Sequence, residues 1–281
     1  MSNSVLRDYL NLKISKLAEK GIHEAKLKSE ILVQDYLKIS KADLYLENIK
    51  VSEKDIKVMD KIFFELFKNK PIQHILGESY FYENRFLTPP GIFIPRPETE
   101  LLVDCAVDFL SGKKESSTII EFCSGSGCVL LSVAKKFPKN KYIGIDVSDI
   151  AIQTAKRNSK LMNLKNIQFI KGDIFNYFSQ KADLIICNPP YLAINEIDGL
   201  DDSVKEHDPL EALTDFKDGT SFYKHLILNF KNLVSKNGIM LLELPFSEVT
   251  KNIISFNDNF NINKSAFYKD LEGKKRVIKI Y

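Results

Sequence analysis

Apolar residues fall into two rhythms along this chain, and the change between them is the first structural signal. From Val5 to about Phe67 they recur at helical spacing. Val5, Leu6, Tyr9, Leu10, Leu12, Ile14 and Leu17 crowd one side of a first segment that Gly21 ends, and Leu27, Ile31, Leu32, Tyr36 and Leu37 mark a second. Ser52-Glu53-Lys54-Asp55 has the form of a capping box. It starts a third segment carrying Ile56, Met59, Ile62, Phe63, Leu66 and Phe67, which Asn69-Lys70-Pro71 closes. The pattern predicts a small helical domain over residues 1–70, either a packing unit or a grip for a partner.

Residues 71–97 read as a hairpin and linker. Gly77–Tyr82 and Arg85-Phe86-Leu87 flank Glu83-Asn84, which places a β-turn at Glu83-Asn84. Pro89-Pro90-Gly91 is a turn, and Ile92–Glu100 runs from an extended piece into a helix with Pro97 or Glu98 in its first turn. Such a stiff loop either lines a site or merely links.

Beyond Ser116 the rhythm becomes strand, helix, strand. Strands are expected at Thr118–Phe122, Tyr142–Ile145, Ile167–Ile170, Leu184–Cys187 and Ile239–Leu244. Helices are expected at Cys128–Phe137, Ile150–Met162, Phe222–Val234 and Glu248–Ile254. This alternation over 98–281 implies an α/β fold with a mostly parallel sheet and right-handed crossovers. Strands near Ile262–Tyr268 and Arg276–Tyr281 flank Leu271-Glu272-Gly273-Lys274 and predict a closing antiparallel hairpin. Ala193–Gly219 is long, acidic and irregular, hence functional or disordered.

Composition changes this picture little. The 281 residues are 44% hydrophobic and 27% charged with net charge +3, an ordinary globular balance without a dense basic tract. No apolar run reaches the ~18 residues of a membrane span. The N-terminus lacks a signal-peptide core, so a cytoplasmic location is expected. Cys105, Cys123, Cys128 and Cys187 match no zinc or redox spacing, and His23, His74, His207 and His225 lie far apart, so no metal is expected.

Candidate chemistry sits at the strand ends. Asn188-Pro189-Pro190-Tyr191 follows the apolar run Leu184–Cys187, and two prolines cannot continue a central strand. The stretch is either a strand terminator with a capping Asn or a stiff turn presenting Asn188 and Tyr191 at the carboxyl edge, where open α/β sheets bind ligands. Glu121 and the loop Cys123-Ser124-Gly125-Ser126-Gly127 lead from a strand into a helix, so backbone can approach a ligand at a positively polarised helix end. Asp146 closes the next strand as a ribose ligand or a helix cap, and Asp173 closes the third. Position 130 is Leu, so this is not the dinucleotide fingerprint, and no phosphate-binding P-loop occurs. A nucleoside site without a pyrophosphate suits S-adenosylmethionine better than NAD or ATP.

Together these residues resemble the class I S-adenosylmethionine-dependent methyltransferases that modify nitrogen, a Rossmann-like fold. With Gly77-Glu78, Phe81 and Ile94-Pro95-Arg96-Pro97-Glu98-Thr99-Glu100, essentially the whole chain is similar to the HemK/PrmC family, the peptide chain release factor glutamine N5-methyltransferases. The resemblance implies catalysis by Asn188 and Pro189. It implies substrate binding by these two with Pro190, Tyr191, Arg96, Pro97 and Glu98, and cofactor binding by Glu121, Cys123–Gly127, Asp146, Asp173, Ile174 and Asn188. It implies class I release factors as protein substrate, with Glu206-His207-Asp208-Pro209 near them unless this is an ordinary turn. The family usually opens its loop Asp-x-Gly-x-Gly-x-Gly, whereas Glu121 and Cys123 stand here. Ile174 replaces an aromatic. A monomer without direct nucleic-acid or membrane binding is expected. The competing readings are an N6-adenine DNA or RNA methyltransferase, which uses the same four-residue motif, and a non-catalytic binding protein on this fold.

Overall fold

The change of rhythm at Gly77 is also where the chain divides. A computed structural model describes residues 4–46, 49–177, 180–259 and 264–281. It forms two compact units, Met1–Gly77 with Asp201–His207, and Glu78–Leu200 with Asp208–Tyr281.

The first unit is helical. Leu6–Glu19, Ala25–Leu37 and Glu53–Phe67 are its long helices, joined by the short Lys41–Leu46 and Ile72–Leu76. Their apolar stripes meet in a core that includes Leu10, Leu17, Leu32, Val33, Met59, Phe63 and Leu66. Ser52 and Asp55 close a reciprocal capping box, each side chain taking the other's backbone N–H. The two short helices fall outside the expected pattern, since neither is long enough to show a period.

In the second unit the strands Thr118–Phe122 (β1), Lys141–Asp146 (β2), Ile167–Lys171 (β3), Ala182–Cys187 (β4), Val234–Glu243 (β5), Ser265–Lys269 (β6) and Lys275–Ile280 (β7) form one sheet. Its order is β3-β2-β1-β4-β5-β7-β6. The first five strands run parallel, while β7 is antiparallel to β5 and β6 antiparallel to β7. The closing hairpin is therefore present; residues 262–263 at the expected start of its first strand lie outside the described residues. Alternate residues of each strand feed opposite cores. Ile119, Tyr142, Leu184, Ile186 and Leu241 pack under the helices Glu100–Ser111 and Cys128–Lys136. Ile120, Ile143, Ile185, Met240 and Leu242 pack under Ser221–Leu228 and Glu248–Asn259. This is the three-layer class I methyltransferase fold, and burial on both faces explains the near-continuous apolar strands.

Local expectations needed three adjustments. The hairpin Glu78–Phe81/Asn84–Leu87 turns at Tyr82-Glu83, one residue before the expected place. Tyr82 and Glu83 both take left-handed φ, 46° and 62°, while Asn84 is drawn into the strand by its bonds to Tyr82 O and Lys135 Nζ. The helix expected at Phe222–Val234 breaks at Asn229 into Ser221–Leu228 and Phe230–Leu233, and Val234 already belongs to β5. The acidic stretch 193–219 is ordered as three short helical turns because its acids serve as caps: Asp201 takes Ser203 N–H, and Asp215 takes the N–H groups of Lys217, Gly219 and Ser221.

Candidate active site

Because β1 has β2 on one side and β4 on the other, crossovers leave in opposite directions at its carboxyl end and open a crevice there. A cavity of about 490 Å³ fills it, a usual size for a small-molecule site. Glu121, Cys123, Ser124, Gly125 and Ser126 line one part, and Asp146, Asp173 and Ile174 another. Asn188, Pro189, Pro190 and Tyr191 complete the wall. Gly127, Arg96, Pro97 and Glu98 stand off it. Pro95, before the 3-10 turn Pro97–Thr99, and Thr99, at the end of that turn, face the cavity instead.

The loop after β1 is shaped by backbone requirements. Gly127 begins the helix Cys128–Lys136 at φ 76°, and a Cβ there would lie 2.9 Å from the Phe169 ring. Gly125 N–H donates to Asp146 Oδ2 at 2.8 Å, and Ser148 N–H to Oδ1 at 2.9 Å. Each Asp146 oxygen keeps a lone pair for another donor. Burial pushes this carboxyl above the ordinary range, so additional donors from a ligand are favourable. Ser124 Oγ is buried without a hydrogen-bond partner. These groups fit a polyhydroxylated nucleoside.

Two residues that depart from the family pattern behave differently from each other. Glu121 is buried and turned inward, its Oε2 taking Leu130 N–H at 3.2 Å at the helix start. Burial holds its carboxyl well above the usual range, with Asp146 adding to the rise. Cys123 adopts φ 55°, a left-handed conformation, and its thiol faces that of Cys187. Asp173 caps the following 3-10 turn, taking Phe175 N–H at 3.0 Å and Asn176 Nδ2 at 3.1 Å. Ile174 is buried behind it, and Phe222, packed against Phe175 at 5.1 Å between ring centroids, brings an aromatic face to the cavity.

On the other side, Asn188 Nδ2 donates to Thr99 Oγ1 at 3.3 Å. Tyr191 is followed by Leu192, whose N–H bonds Leu213 O at 2.9 Å. Gly219 presses so close to Tyr191 O that any Cβ would meet it at 2.2 Å. Burial raises the Tyr191 hydroxyl to about 12, so it stays neutral. Arg96 pairs with the buried carboxylate of Asp208 at 2.7 Å and lies over the Phe93 ring. It thereby ties the Ile94–Thr99 strap to Asp208-Pro209, of which Pro209 reaches the cavity wall.

Four contributors were given no site role in the sequence: Thr99, quoted only as part of a motif, and Phe222, Asn158 and Glu243. Asn158 bridges Leu87 and Ser126 O, tying the hairpin to the loop. Glu243 was discoverable, since it is an acid closing an apolar strand just as Asp146 does.

Comparison with known proteins gives this geometry a family. Residues 8–77 match the PrmC N-terminal domain and residues 113–278 a methyltransferase domain. The release factor glutamine methyltransferase of Thermodesulfovibrio yellowstonii is 34% identical over 95% of this chain and 95% of its own length. The chain belongs to the release factor glutamine methyltransferase family. The Fusobacterium nucleatum release factor glutamine methyltransferase is 31% identical over 96% of this chain and 77% of its own. The solved hMettl16 catalytic domain, in complex with MAT2A 3'UTR hairpin 6, aligns with a TM-score of 0.52 at 13% identity. That alignment covers 68% of this chain and 73% of that one, and it shows a shared fold. As a methyltransferase of this family, the protein uses S-adenosylmethionine as methyl donor. Among the described residues no helix is long and apolar enough to cross a membrane, and no cluster of three His, Cys, Asp or Glu could hold a metal.

Proposed function

We propose that this protein methylates the side-chain amide N5 of the glutamine in the Gly-Gly-Gln motif of class I peptide chain release factors. The observation that carries the reading is that Asn188-Pro189-Pro190-Tyr191 shares one cavity with the loop after β1 and with Asp146. The PrmC N-terminal domain match and the names of the relatives support the choice of acceptor.

When bound, S-adenosylmethionine supplies an electrophilic methyl group on a sulfonium. Asp146 and the backbone of the Ser124-Gly125 loop would hold its nucleoside. An amide nitrogen is a poor nucleophile because its lone pair is delocalised into the carbonyl, so the protein's contribution is aim. Asn188 Oδ1 and the Pro189 carbonyl accept the two amide N–H groups and leave the lone pair facing the methyl donor. A proline has fixed φ, so its carbonyl is preorganised. Neutral Tyr191 packs on the flat amide without adding charge. Positioning of this kind can supply roughly 7–11 kcal/mol, and no strong base is needed.

The same reading has the protein working in the cytoplasm as a monomer, without binding nucleic acid or membrane. Of these, the modest net charge of +3 and the acidic 193–219 stretch bear on the absence of nucleic-acid binding. The experiment offers labelled S-adenosylmethionine with purified release factors, DNA and RNA. Label in a release factor, lost when its Gly-Gly-Gln glutamine is changed, is expected; label in nucleic acid alone would replace this reading with the adenine one.

A further inference from the structure

Glu243 ends β5 close to Asn188, and no step above uses it. It is only 4% exposed, and its Oε2 lacks a hydrogen-bond partner. Thr99 and Asn188 both face this carboxyl and favour its charged form by hydrogen bonding, while Asn188 Nδ2 donates to Thr99 Oγ1 at 3.3 Å. A buried, under-satisfied carboxyl is costly and calls for a role.

An Asn side chain has a donor end and an acceptor end of nearly equal shape, so its surroundings decide which end meets the substrate. We propose that Glu243, acting through Thr99, fixes the Asn188 amide with its oxygen toward the acceptor nitrogen, which makes Glu243 a positioning residue for methyl transfer. This rests on the acceptor role given to Asn188 above. A carboxylate can only accept, so it takes the Thr99 hydroxyl hydrogen. Thr99 Oγ1 is then left to accept from Asn188 Nδ2, and Oδ1 is the end that remains for the substrate. A protonated Glu243 can instead donate to Thr99. Thr99 can then give its hydrogen to Asn188 Oδ1, and the reversed amide would confront the substrate N–H groups with its own.

Charge state therefore gates the arrangement. Burial pushes Glu243 up to about 7, with Glu98 adding to the rise and Thr99, Arg276 and Asn188 opposing it. Tyr223 donates its hydroxyl to Glu243 O at 2.7 Å. Burial keeps Tyr223, Tyr191 and the neighbouring Cys187 thiol neutral, and Arg96 lies beside Tyr191. Among Tyr223, Tyr191, Cys187 and Glu243, Glu243 is the one that changes charge near neutrality.

The test uses the full chain, wild type and the Glu243→Gln, Thr99→Ser and Thr99→Val variants, with a full-length class I release factor as acceptor. Wild-type kcat is expected to rise with pH through a midpoint near 7. Glu243→Gln is expected to lose that limb and about 10²-fold in kcat, the scale of a misaimed near-attack geometry, with release-factor KM and calorimetric S-adenosylmethionine affinity unchanged. Thr99→Val should follow it and Thr99→Ser should retain activity. Because the carboxyl's folded pKa lies above its unfolded value, its protonation favours the fold, and that stability is lost as pH rises toward 7. Glu243→Gln should therefore melt higher than wild type at pH 8.5 while turning over less. In the free protein, the NMR signals of the Asn188 side-chain NH₂ should titrate with the Glu243 carboxyl and cease to do so in Glu243→Gln. Absence of that coupling overturns the inference whatever the acceptor proves to be. So does wild-type kcat in Glu243→Gln, or a pH limb that persists there. A wild type that leaves release factors unmethylated would instead sink the substrate reading.

Discussion

The two halves of the cavity hold their ligands by different means. On the donor side the work falls to backbone: Gly125 N–H pins Asp146, Gly127 lets the helix begin close to Phe169, and side chains in the loop are small. On the acceptor side it falls to side chains and a rigid carbonyl, with Asn188 held against Thr99 and Pro189 fixed by its ring. The donor side is where the chain departs from its family's pattern, at Glu121 and Cys123; the acceptor motif is intact. A backbone-built site tolerates side-chain change because its donors remain, whereas an aimed side-chain amide has no substitute. The contrast ranks substitutions by the half they strike.

The largest effect is expected at Asn188. Asn188→Ala removes the acceptor for a substrate N–H and should lower kcat by at least about 10²–10³-fold, the scale of losing one preorganised polar group at a reacting centre. S-adenosylmethionine binding, measured by calorimetry, should persist at least in part. Full turnover in this variant would remove the distinction between the halves. Asp146→Ala strikes the donor side where it does depend on a side chain. Losing a charged hydrogen-bond acceptor costs about 1.5–3 kcal/mol, so cofactor Kd should rise roughly 10- to 150-fold. Turnover at saturating cofactor should stay near wild type; a collapsed kcat would mean Asp146 serves chemistry as well as binding.

How far the sequence revealed each half follows from the same physics. Residues closing a strand are legible, because the apolar run ends and a Gly, Asp or Pro follows; the loop, Asp146, Asp173 and Asn188-Pro189-Pro190-Tyr191 all announced themselves so, and all but Gly127 face the cavity. Glu243 closes β5 by the same rule but passed as the tail of an apolar strand, since no turn residue follows it at once. Arg96, Pro97 and Glu98 came from the resemblance alone, and their stretch carries no strand-like period, because the chain turns into a 3-10 helix at Pro97–Thr99 and puts Pro95 and Thr99 on the wall. The Tyr82-Glu83 turn hid because Asn84, the better turn former, is bound by Lys135 from 51 positions away. Tertiary partners of that kind leave no local trace.

Gly127→Ala tests whether the donor loop is as dependent on backbone as its geometry implies. The added Cβ must adopt φ 76° and come within 2.9 Å of Phe169 and 3.2 Å of Ala155. Left-handed φ costs about 1–2 kcal/mol and overpacking about 1–3 kcal/mol. Thermal or urea unfolding should show a loss of about 2–5 kcal/mol, with weaker cofactor binding. A variant as stable as wild type would mean the loop shifts freely, and the backbone argument would fail.

The smallest effect is expected where the departure from the family pattern is most visible. Cys123 holds φ 55°, which strains an L-residue by about 1–2 kcal/mol. Cys123→Gly relieves that strain but gives the unfolded chain more freedom, a loss of about 0.4–1 kcal/mol. The balance is a gain of between about 0 and about 1.6 kcal/mol in unfolding free energy. The thiol facing Cys187 is also removed, yet Cys187 stays buried and neutral among β-strand neighbours. Cofactor affinity should hardly move, because the donor side offers backbone and Asp146 rather than this side chain. A Kd weakened tenfold or more, about 1.4 kcal/mol, would show that Cys123 itself contacts the ligand. The donor half would then depend on side chains after all, and the ranking drawn from the two halves would no longer hold.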